Sequence, residues 1–243
     1  MTDMAYANTF VRHEVKYLLT QQQEHDILRR ISEYMTEDRY SGQTISSLYC
    51  DSDDDVLIRT SLDKPFYKEK LRLRAYGTPT DDSKVFLEIK KKFKGVVYKR
   101  RAEMTCAQAY DYLVTGRQPP CESYNDRQVM QEIEWLVKRD GLKPKAAVFY
   151  DRRAFFGSDD HELRLTLDKN VRYRLDDTDL RSGTDGIQLG HQPFCVMEIK
   201  SATAVPLWLA GILSELGIYP GSFSKYGSVY REKLTERHAT IQI

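Results

Sequence analysis

The chain has 243 residues, enough for one large domain or two small ones with a sizeable apolar core. Its 37 Lys and Arg balance 36 Asp and Glu, so net charge alone predicts no polyanionic partner. Its four scattered cysteines form no CxxC pair, which argues against a disulfide framework and favours free thiols in a reducing compartment.

The hydropathy pattern predicts no membrane-spanning segment. The N-terminus carries no apolar signal-peptide core. The longest apolar stretch, 205–219, is too short to cross a bilayer and contains Glu215. We therefore expect a soluble, cytoplasmic protein, and a membrane-protein partner is left open.

The first half of the chain is predicted to form strands around one helix. Alternation predicts a strand over 7–19, and Thr20 with Gln23 forms a capping box that begins a helix extending to about Met35. Further strands are predicted at 45–51, 67–76, 84–93 and 96–105, with a helical turn at 56–62.

The second half adds helices and returns to strands. One helix is capped by Thr105 and closed near Gly116, and another runs from about 125 to 139. Strands are predicted at 146–156, 162–168, 171–175 and 194–201, and helices from Pro206 to Leu216 and over 222–234. We expect one domain over residues 1–243, with roughly eight strands and a helical insertion at about 105–141.

Charged residues recur at every second position of the predicted strands. Because side chains alternate between faces along a strand, residues two apart lie on the same face. Three strands carry a glutamate and a lysine in this spacing, and others carry cations alone. The pairs are Glu14 with Lys16, Glu88 with Lys90 and Glu198 with Lys200; the cations are Lys70, Arg72, Arg74, Lys99, Arg101 and Arg164.

These charged faces have two interpretations. An antiparallel sheet often turns one face to water, where charged residues are ordinary. However, like charges on neighbouring strands repel, and the aliphatic opposite faces need a cover that the amphipathic helices can supply from outside. The pattern therefore favours an α+β fold, an antiparallel eight-stranded β-barrel tunnel with a polar, cationic lumen and helices packed outside.

A cationic lumen requires counter-anions. Two unit charges about 4 Å apart interact by roughly 4 kcal/mol at an effective dielectric near 20. A chain of phosphates would neutralise the array, with Arg as a bidentate partner and Lys as a point charge. Glutamates on the same faces would repel phosphate unless a divalent cation lay between them, so we expect Mg²⁺ or Mn²⁺.

Seven segments resemble a known family in their order. They are RHEVKYLL, KLRLRAYG, FLEIK with YKRRAEM, FYDRRAF, LRLTLD, MEIK and FSKY, from about Phe10 to Tyr230. In these segments the chain resembles the VTC domain, the catalytic core of the vacuolar transporter chaperone polyphosphate polymerase. That domain lies within the triphosphate tunnel metalloenzyme (CYTH-like) superfamily.

The resemblance implies an ATP-dependent, metal-dependent polyphosphate polymerase. Its partners would be ATP and inorganic polyphosphate, and the γ-phosphate of ATP would pass to the growing chain inside the tunnel. Nine tunnel cations are implied by position, with further substrate-binding positions at Arg12, Arg59, Lys70 and Arg101. The nine are Lys16, Arg72, Arg74, Lys90, Lys99, Arg152, Arg164, Lys200 and Lys225, the last on a C-terminal helix at one tunnel end.

The resemblance also implies metal ligands. Glu198 would be the chief ligand, whereas Glu14 and Glu88 either assist it or pair with neighbouring lysines. Related tunnel hydrolases begin with two glutamates in an ExExK strand, and here Arg12 stands at the first of these positions. This departure disfavours a two-metal hydrolase relative to a one-metal polymerase.

Other functions remain open from the sequence. A metal-dependent tunnel triphosphatase and a non-catalytic polyphosphate-binding module would need the same cations. Nucleic-acid binding is disfavoured because the cationic faces alternate with aliphatic residues and lack stacking aromatics. Asp168 is either a strand-ending turn residue or a metal ligand, and Tyr150 is predicted to lie in the core.

Overall fold

The structure, a computed structural model, describes residues 13–94, 96–121, 123–202 and 204–241. Strands dominate this part of the chain, and helices lie between them. The strands are β1 (His13–Leu19), β2 (Met35–Glu37), β3 (Gln43–Asp51), β4 (Tyr67–Tyr76), β5 (Lys84–Phe93), β6 (Val96–Thr105), β7 (Lys143–Gly157), β8 (Arg164–Arg174), β9 (Ile187–Gln188), β10 (Cys195–Ser201) and β11 (Pro220–Gly221). The helices are α1 (Gln21–Ile31), α2 (Val56–Leu62), α3 (Cys106–Thr115), α4 (Tyr124–Asp140), α5 (Leu207–Glu215) and α6 (Lys225–Ile241), with a 3-10 turn at Leu180–Ser182.

Helix ends follow the local capping chemistry. The predicted capping box of Thr20 and Gln23 is confirmed, and Thr105 forms a second one with Gln108 at the start of α3. Gly116 and Gly141 end α3 and α4 at φ values of 74° and 62°, a left-handed conformation that costs glycine little.

The first helix, the pair of strands at 162–175 and the last helix differ from the predictions. The last helix, predicted over 222–234, begins at Lys225 and extends to Ile241. The first helix ends at Ile31, and Met35 instead begins the short strand β2. The strands predicted at 162–168 and 171–175 form one continuous strand, β8. Asn170 permits this continuity because it adopts a φ of 53°, which asparagine tolerates better than most residues.

The strands form a single antiparallel sheet with eight long strands. Their order is β1-β10-β8-β7-β3-β4-β5-β6, and the short strands β11, β2 and β9 pair with β1, β7 and β8. The antiparallel α+β class is therefore confirmed. In the described residues the ladder ends at β6 and β11, so backbone hydrogen bonds do not close the sheet into a barrel.

Helices cover the outer face of the sheet. The α3–α4 pair packs on β4, β5 and β6 through residues such as Leu71, Leu87 and Met130. The α1–α5 pair packs on β1, β8 and β10, where Ile27 and Met197 belong to the same cluster. The prediction that helices pack outside is confirmed for these four helices. Within the described ranges, no helix combines the length and the apolar character needed to cross a bilayer.

A third apolar cluster occupies one end of the other face. Ile45, Val148 and Tyr150 of the sheet pack there against Tyr226 and Val229 of α6. Helix α2 contributes Ile58 to this cluster as well. The C-terminal helix therefore lies at one end of the inward side of the sheet, as the resemblance implied.

Candidate active site

Strand register collects the charged residues on one face. Directly paired residues of antiparallel strands point to the same side, so the pairing can be followed across the sheet. Lys16 pairs with Glu198, Asp168 with Arg152, and Arg72 with both Glu88 and Tyr49. We call this side the inner face; it carries Glu14, Lys16, Ser47, Tyr49, Lys70, Arg72, Arg74, Glu88, Lys90, Lys99, Arg101, Tyr150, Arg152, Arg164, Thr166, Asp168, Glu198 and Lys200.

The inner face is concave. Nζ of Lys90 on β5 lies 3.3 Å from Oε2 of Glu14 on β1, although five strands separate β1 from β5 in the sheet order. Such a contact requires the sheet to curl until its two flanks face each other. The inner face therefore encloses its charges, which excludes the interpretation of a flat, water-exposed sheet face.

One cluster surrounds Glu198 and Glu14. Lys200 Nζ lies 2.7 Å from Oε1 of Glu198, and Lys16 Nζ lies 3.5 Å from Oε2. Lys16 also lies 3.7 Å from Oε1 of Glu14, so two carboxylates share one ammonium group. Burial alone would raise the pKa of Glu198, but Lys200 and Lys16 outweigh it and hold that pKa far below its usual range. Glu198 is therefore ionised and available as an oxygen ligand.

A second cluster surrounds Glu88. Oε2 of this carboxylate accepts a hydrogen bond from Nε of Arg72 at 2.8 Å, and Oε1 lies 2.5 Å from Nζ of Lys99. Arg74 Nε lies 3.9 Å from Oε2 of Glu88. Burial opposes ionisation of Glu88, yet the three cations lower its pKa to about 2. The side chain is only 2% exposed, so Glu88 is the buried counter-ion of this cluster.

A third cluster joins the sheet to α6. Asp168 accepts two hydrogen bonds from Arg152, at 2.6 and 2.8 Å, and one from Nζ of Lys225 at 2.6 Å. Lys225 also lies 4.2 Å from the centroid of the Tyr150 ring, and the Tyr150 hydroxyl accepts a hydrogen bond from Arg74 at 3.0 Å. Tyr150 thus connects the second and third clusters.

Four buried polar atoms of the inner face have no hydrogen-bond partner among the described residues. They are Ser47 Oγ, Arg74 Nε, Thr166 Oγ1 and Glu88 Oε1, the last of which forms an ion pair with Lys99. Register places Ser47 opposite Arg74, and Thr166 opposite Glu198. Buried polar atoms are normally paired, so the first three of these atoms favour an oxygen-rich ligand on the inner face.

The carboxylates fit a divalent cation that is held partly by substrate. In the described ranges, no group of three or more His, Cys, Asp or Glu side chains could hold a metal ion. Glu14 and Glu198 nevertheless converge on the same Lys16 ammonium. Mg²⁺ is commonly held by one or two carboxylates together with substrate phosphates, and this donor set matches that arrangement.

Several predicted site residues lie away from the three clusters. Arg164 is paired with Asp38 at 3.2 Å and its side chain is 45% exposed, which places it at the rim. Arg101 is exposed and stacks on Phe86. Arg59 is exposed on α2. Arg12 lies outside the described residues.

The predicted substrate-binding residue Lys70 contacts the segment before α6 and none of the carboxylates of the three clusters. Its Nζ donates a hydrogen bond to Ser224 Oγ at 3.1 Å, just before α6. Burial lowers the pKa of Lys70 to about 8, aided by Lys16, Lys68 and Lys90. Its ammonium group is therefore close to losing its proton under mildly alkaline conditions.

Sequence reasoning missed Tyr49 as a site residue. It lies opposite Arg72 on the inner face and accepts a long hydrogen bond of 3.5 Å from Arg72 Nη1. Burial would raise the pKa of Tyr49, but Arg72 and Lys70 lower it to about 8. An aromatic residue in a strand ordinarily indicates core packing, so only the register reveals this role.

The chain matches known proteins in sequence over most of its length. The family model of the VTC domain matches residues 11–232. The vacuolar transporter chaperone complex subunit 4 of Schizosaccharomyces pombe is 27% identical over 221 residues, covering 75% of this chain and 30% of that protein. The subunit of the same name from Trypanosoma brucei brucei is 26% identical over 255 residues, covering 86% of this chain and 32% of that protein. The chain thus spans about a third of the length of these curated relatives.

A solved structure shares the fold. A candidate adenylate cyclase from Bacillus halodurans superposes with a TM-score of 0.56 at 13% identity, covering 89% of this chain and 94% of that one. At this level of identity the likeness concerns the fold alone.

Proposed function

The chain belongs to the VTC domain family, and from this membership we propose that it is an ATP-dependent polyphosphate polymerase. It would transfer the γ-phosphate of ATP to the end of a growing inorganic polyphosphate chain on the inner face. The observation that carries this proposal is the convergence of cations from seven long strands on one concave face. Such a surface suits a long, linear polyanion.

For phosphoryl transfer, a protein mainly needs to position the reacting phosphates and to neutralise their charge. Arg72, Arg74 and Arg152 supply planar forks for bidentate phosphate contacts. Lys16, Lys90 and Lys200 supply point charges around the carboxylates. An acceptor phosphate is already anionic, so the reaction needs no general base.

The three glutamates have separate proposed roles. Glu198, with Glu14, would hold the divalent cation, which when bound supplies charge neutralisation on phosphate oxygens. Glu88 is fully engaged by Arg72, Arg74 and Lys99, so we assign it the role of a counter-ion that positions those cations. Of the two roles that the sequence leaves open for Glu88, assisting the metal ligand Glu198 and pairing with cations, we propose the second.

Synthesis from ATP tests the proposal. Purified protein with ATP and Mn²⁺ should give a long-chain product on a gel, with equimolar release of the nucleoside diphosphate. Glu198→Gln should abolish that product and leave the fold intact. Glu134→Gln, on the outer helix α4 and paired with Lys138, is the matched control and should behave as the parent chain.

The same assay separates the rival functions. A tunnel triphosphatase would release orthophosphate without long chains, and a binding module would release neither product. Either result would overturn the polymerase proposal. Full synthesis by Glu198→Gln would remove the proposed metal role of Glu198.

A further inference from the structure

Two exposed loops meet at one end of strands β4, β5 and β6. Residues 63–66 connect α2 to β4, and the turn from β5 to β6 follows Phe93. The backbone N–H of Lys94 donates a hydrogen bond to the carbonyl of Phe66 at 2.8 Å, which joins the two loops. We call this junction, residues 64–67 and 92–94, the aromatic tip.

Three aromatic side chains of the aromatic tip lie in solvent. Phe66 is 80% exposed, Phe93 46% and Tyr67 43%. None of them belongs to the three apolar clusters of the described residues. The rings of Tyr67 and Phe93 contact each other edge to face, with centroids 6.5 Å apart, so their apolar surface is continuous. Single exposed apolar residues are ordinary, whereas a continuous exposed patch indicates an interaction site.

Lysines surround these rings. Residues 63–68 and 92–94 contain four lysines and one acidic residue, Asp63. Within the described ranges, no carboxylate lies at salt-bridge distance from Lys64 or Lys94. The turn at the other end of β4 and β5, residues 77–83, instead contains Asp81 and Asp82 and no lysine. The aromatic tip is therefore a positively charged end of these strands.

Two of the lysines stand where glycine would suit the backbone better. Lys64 and Lys94 have φ values of 53° and 46°, in the left-handed region that glycine adopts at little cost. A loop that only reversed the chain would be more stable with glycine at these positions. Strained residues occur mainly where the side chain has a function, so both positions favour a role for the ammonium groups.

A phospholipid bilayer fits the aromatic tip better than a protein partner does. The tip has seven residues, whereas a stable protein interface uses about 20–30 residues a side. A turn and a loop at the end of adjacent strands form a projecting surface, which can enter a bilayer without a complementary groove. Aromatic rings favour the headgroup level of a bilayer, and neighbouring lysines favour anionic lipids.

We infer that the aromatic tip docks this chain on the surface of a bilayer that contains anionic phospholipid. Phe66 and Phe93 insert at the level of the headgroups, and Lys64 and Lys94 contact the lipid phosphates around them. The attachment is peripheral, because it uses the side chains of two loops alone. The inference goes beyond the proposed function and does not depend on the reaction at the inner face.

Vesicle co-sedimentation without nucleotide tests the inference. The probes are vesicles of phosphatidylcholine alone and vesicles of phosphatidylcholine and phosphatidylserine at about three to one. The parent chain should bind the anionic vesicles at least about tenfold more tightly than the neutral ones, and added salt should weaken this binding.

Two double variants separate the apolar and the charged contributions. Phe66→Ser/Phe93→Ser should lose about tenfold or more in affinity for anionic vesicles at unchanged charge, because two rings no longer leave water. Lys64→Gln/Lys94→Gln should lose about 10- to 30-fold at low salt and much less at high salt. All four side chains are exposed, so circular dichroism should show the parent fold in both variants.

Matched variants control for lost apolar surface and lost charge. Leu207→Ser/Tyr219→Ser removes two apolar side chains that are 91% and 75% exposed elsewhere on the chain. Lys84→Gln/Lys138→Gln removes two lysines of β5 and α4 that have carboxylate partners. Both variants should bind the vesicles as the parent does. Phe66→Trp should retain binding, and the emission of the added tryptophan should shift to the blue with anionic vesicles.

Other results would overturn the inference. One is a parent chain that does not bind anionic vesicles, or binds neutral vesicles equally well. Another is a loss in Leu207→Ser/Tyr219→Ser equal to that in Phe66→Ser/Phe93→Ser. A dimer of the parent that Phe66→Ser/Phe93→Ser abolishes, without vesicle binding, would instead assign the tip to a contact between copies of this chain.

Failure of the proposed function gives a different result. Phe66→Ser/Phe93→Ser should bind inorganic tripolyphosphate in calorimetry as the parent does, and a loss there would make these residues supports of the inner face and overturn the docking. A chain that makes no polyphosphate from ATP, yet binds anionic vesicles through the tip, would overturn the polymerase assignment alone. A chain that makes polyphosphate but does not bind the vesicles would overturn the docking alone.

Discussion

Nζ of Lys225, the first residue of α6, lies 2.6 Å from Oδ2 of Asp168 in the middle of β8. The same carboxylate accepts a hydrogen bond from Nε of Arg152 at 2.6 Å. Asp168 is 2% exposed, so it is a buried counter-ion shared by cations from two different elements. This ion cluster fixes the start of the C-terminal helix against the inner face.

Asp168→Asn should therefore loosen α6. Removing the charge leaves Arg152 and Lys225 buried without their counter-ion, which costs about 3–5 kcal/mol of unfolding free energy when one partner of a buried pair is lost. Urea denaturation measures the loss. Amide hydrogen exchange should accelerate more in α6 than in α4, which does not contact Asp168.

Asp185→Asn is the matched control for this change. Its carboxylate also pairs with an arginine, Arg174, but the side chain is 84% exposed. Exposed pairs contribute at most about 1 kcal/mol, so this variant should remain close to the parent chain. Unchanged exchange in α6 of Asp168→Asn would refute the anchoring role.

Local patterns predicted most elements and the shared face of the charged residues. Alternation in the runs around Lys70 and Glu88 placed β4 and β5, and a strand's two-residue period fixed which side chains share a face. The capping box at Thr20 and the glycine at 116 marked helix ends because they satisfy backbone groups locally.

Contacts across the curled sheet could not be predicted in the same way. The meeting of Lys90 and Glu14 depends on how far seven strands curl, and no local sequence signal encodes that curvature. The sequence leaves two roles open for Asp168 because it indicates a break before residue 171. It correctly predicts Tyr150 in the core, but the hydroxyl contact of Tyr150 with Arg74 depends on register.

Glu88→Gln should destabilise the second cluster strongly. The variant leaves Arg72, Arg74 and Lys99 without the carboxylate that they share, and loss of one buried partner costs about 3–5 kcal/mol. Urea denaturation should show this loss. Added tripolyphosphate should stabilise the variant more than the parent, because phosphate oxygens then replace the missing negative charge.

Glu103→Gln provides the comparison on the neighbouring strand β6. Glu103 pairs with Lys84, and its side chain is 48% exposed, so the change should cost less than about 1 kcal/mol. If Glu88→Gln were no less stable than Glu103→Gln, Glu88 would not be the counter-ion of the arginines.

Acidic pH should lower the free energy of unfolding because Asp168 and Glu88 become protonated. Both carboxyl groups have a folded-state pKa of about 2, because neighbouring cations outweigh the effect of burial. A depressed carboxyl pKa gives stability above the unfolded pKa, near 4, and this stability is lost as pH falls towards 2. Each group should contribute about 2–3 kcal/mol that disappears across that window.

Urea denaturation between pH 5 and 2 measures this acid sensitivity. The pH dependence should be shallower in Asp168→Asn and in Glu88→Gln, because each variant lacks one of the titrating groups. A curve parallel to that of the parent in both variants would show that other carboxyl groups control acid unfolding.

Alkaline pH should affect stability and phosphate binding in opposite directions. Burial lowers the pKa of both Lys70 and Lys99 to about 8, below the value of 10.5 for a free lysine. Between these values the unfolded chain binds more protons than the folded chain, so the contribution of these lysines to stability rises with pH.

Under the proposed function, phosphate binding uses the ammonium groups of Lys70 and Lys99. The affinity for tripolyphosphate should therefore fall by about tenfold per pH unit for each proton taken up. Calorimetry in buffers of different ionisation enthalpy should show more proton uptake by the protein on binding near pH 9 than near pH 6.5, after correction for the protons that the terminal phosphates of the ligand release. Lys70→Met and Lys99→Met should each reduce that uptake, whereas Lys138→Met on α4 should not. Uptake that is unchanged in both tunnel variants would assign the alkaline titration to other groups, such as Tyr49, whose pKa is also lowered to about 8.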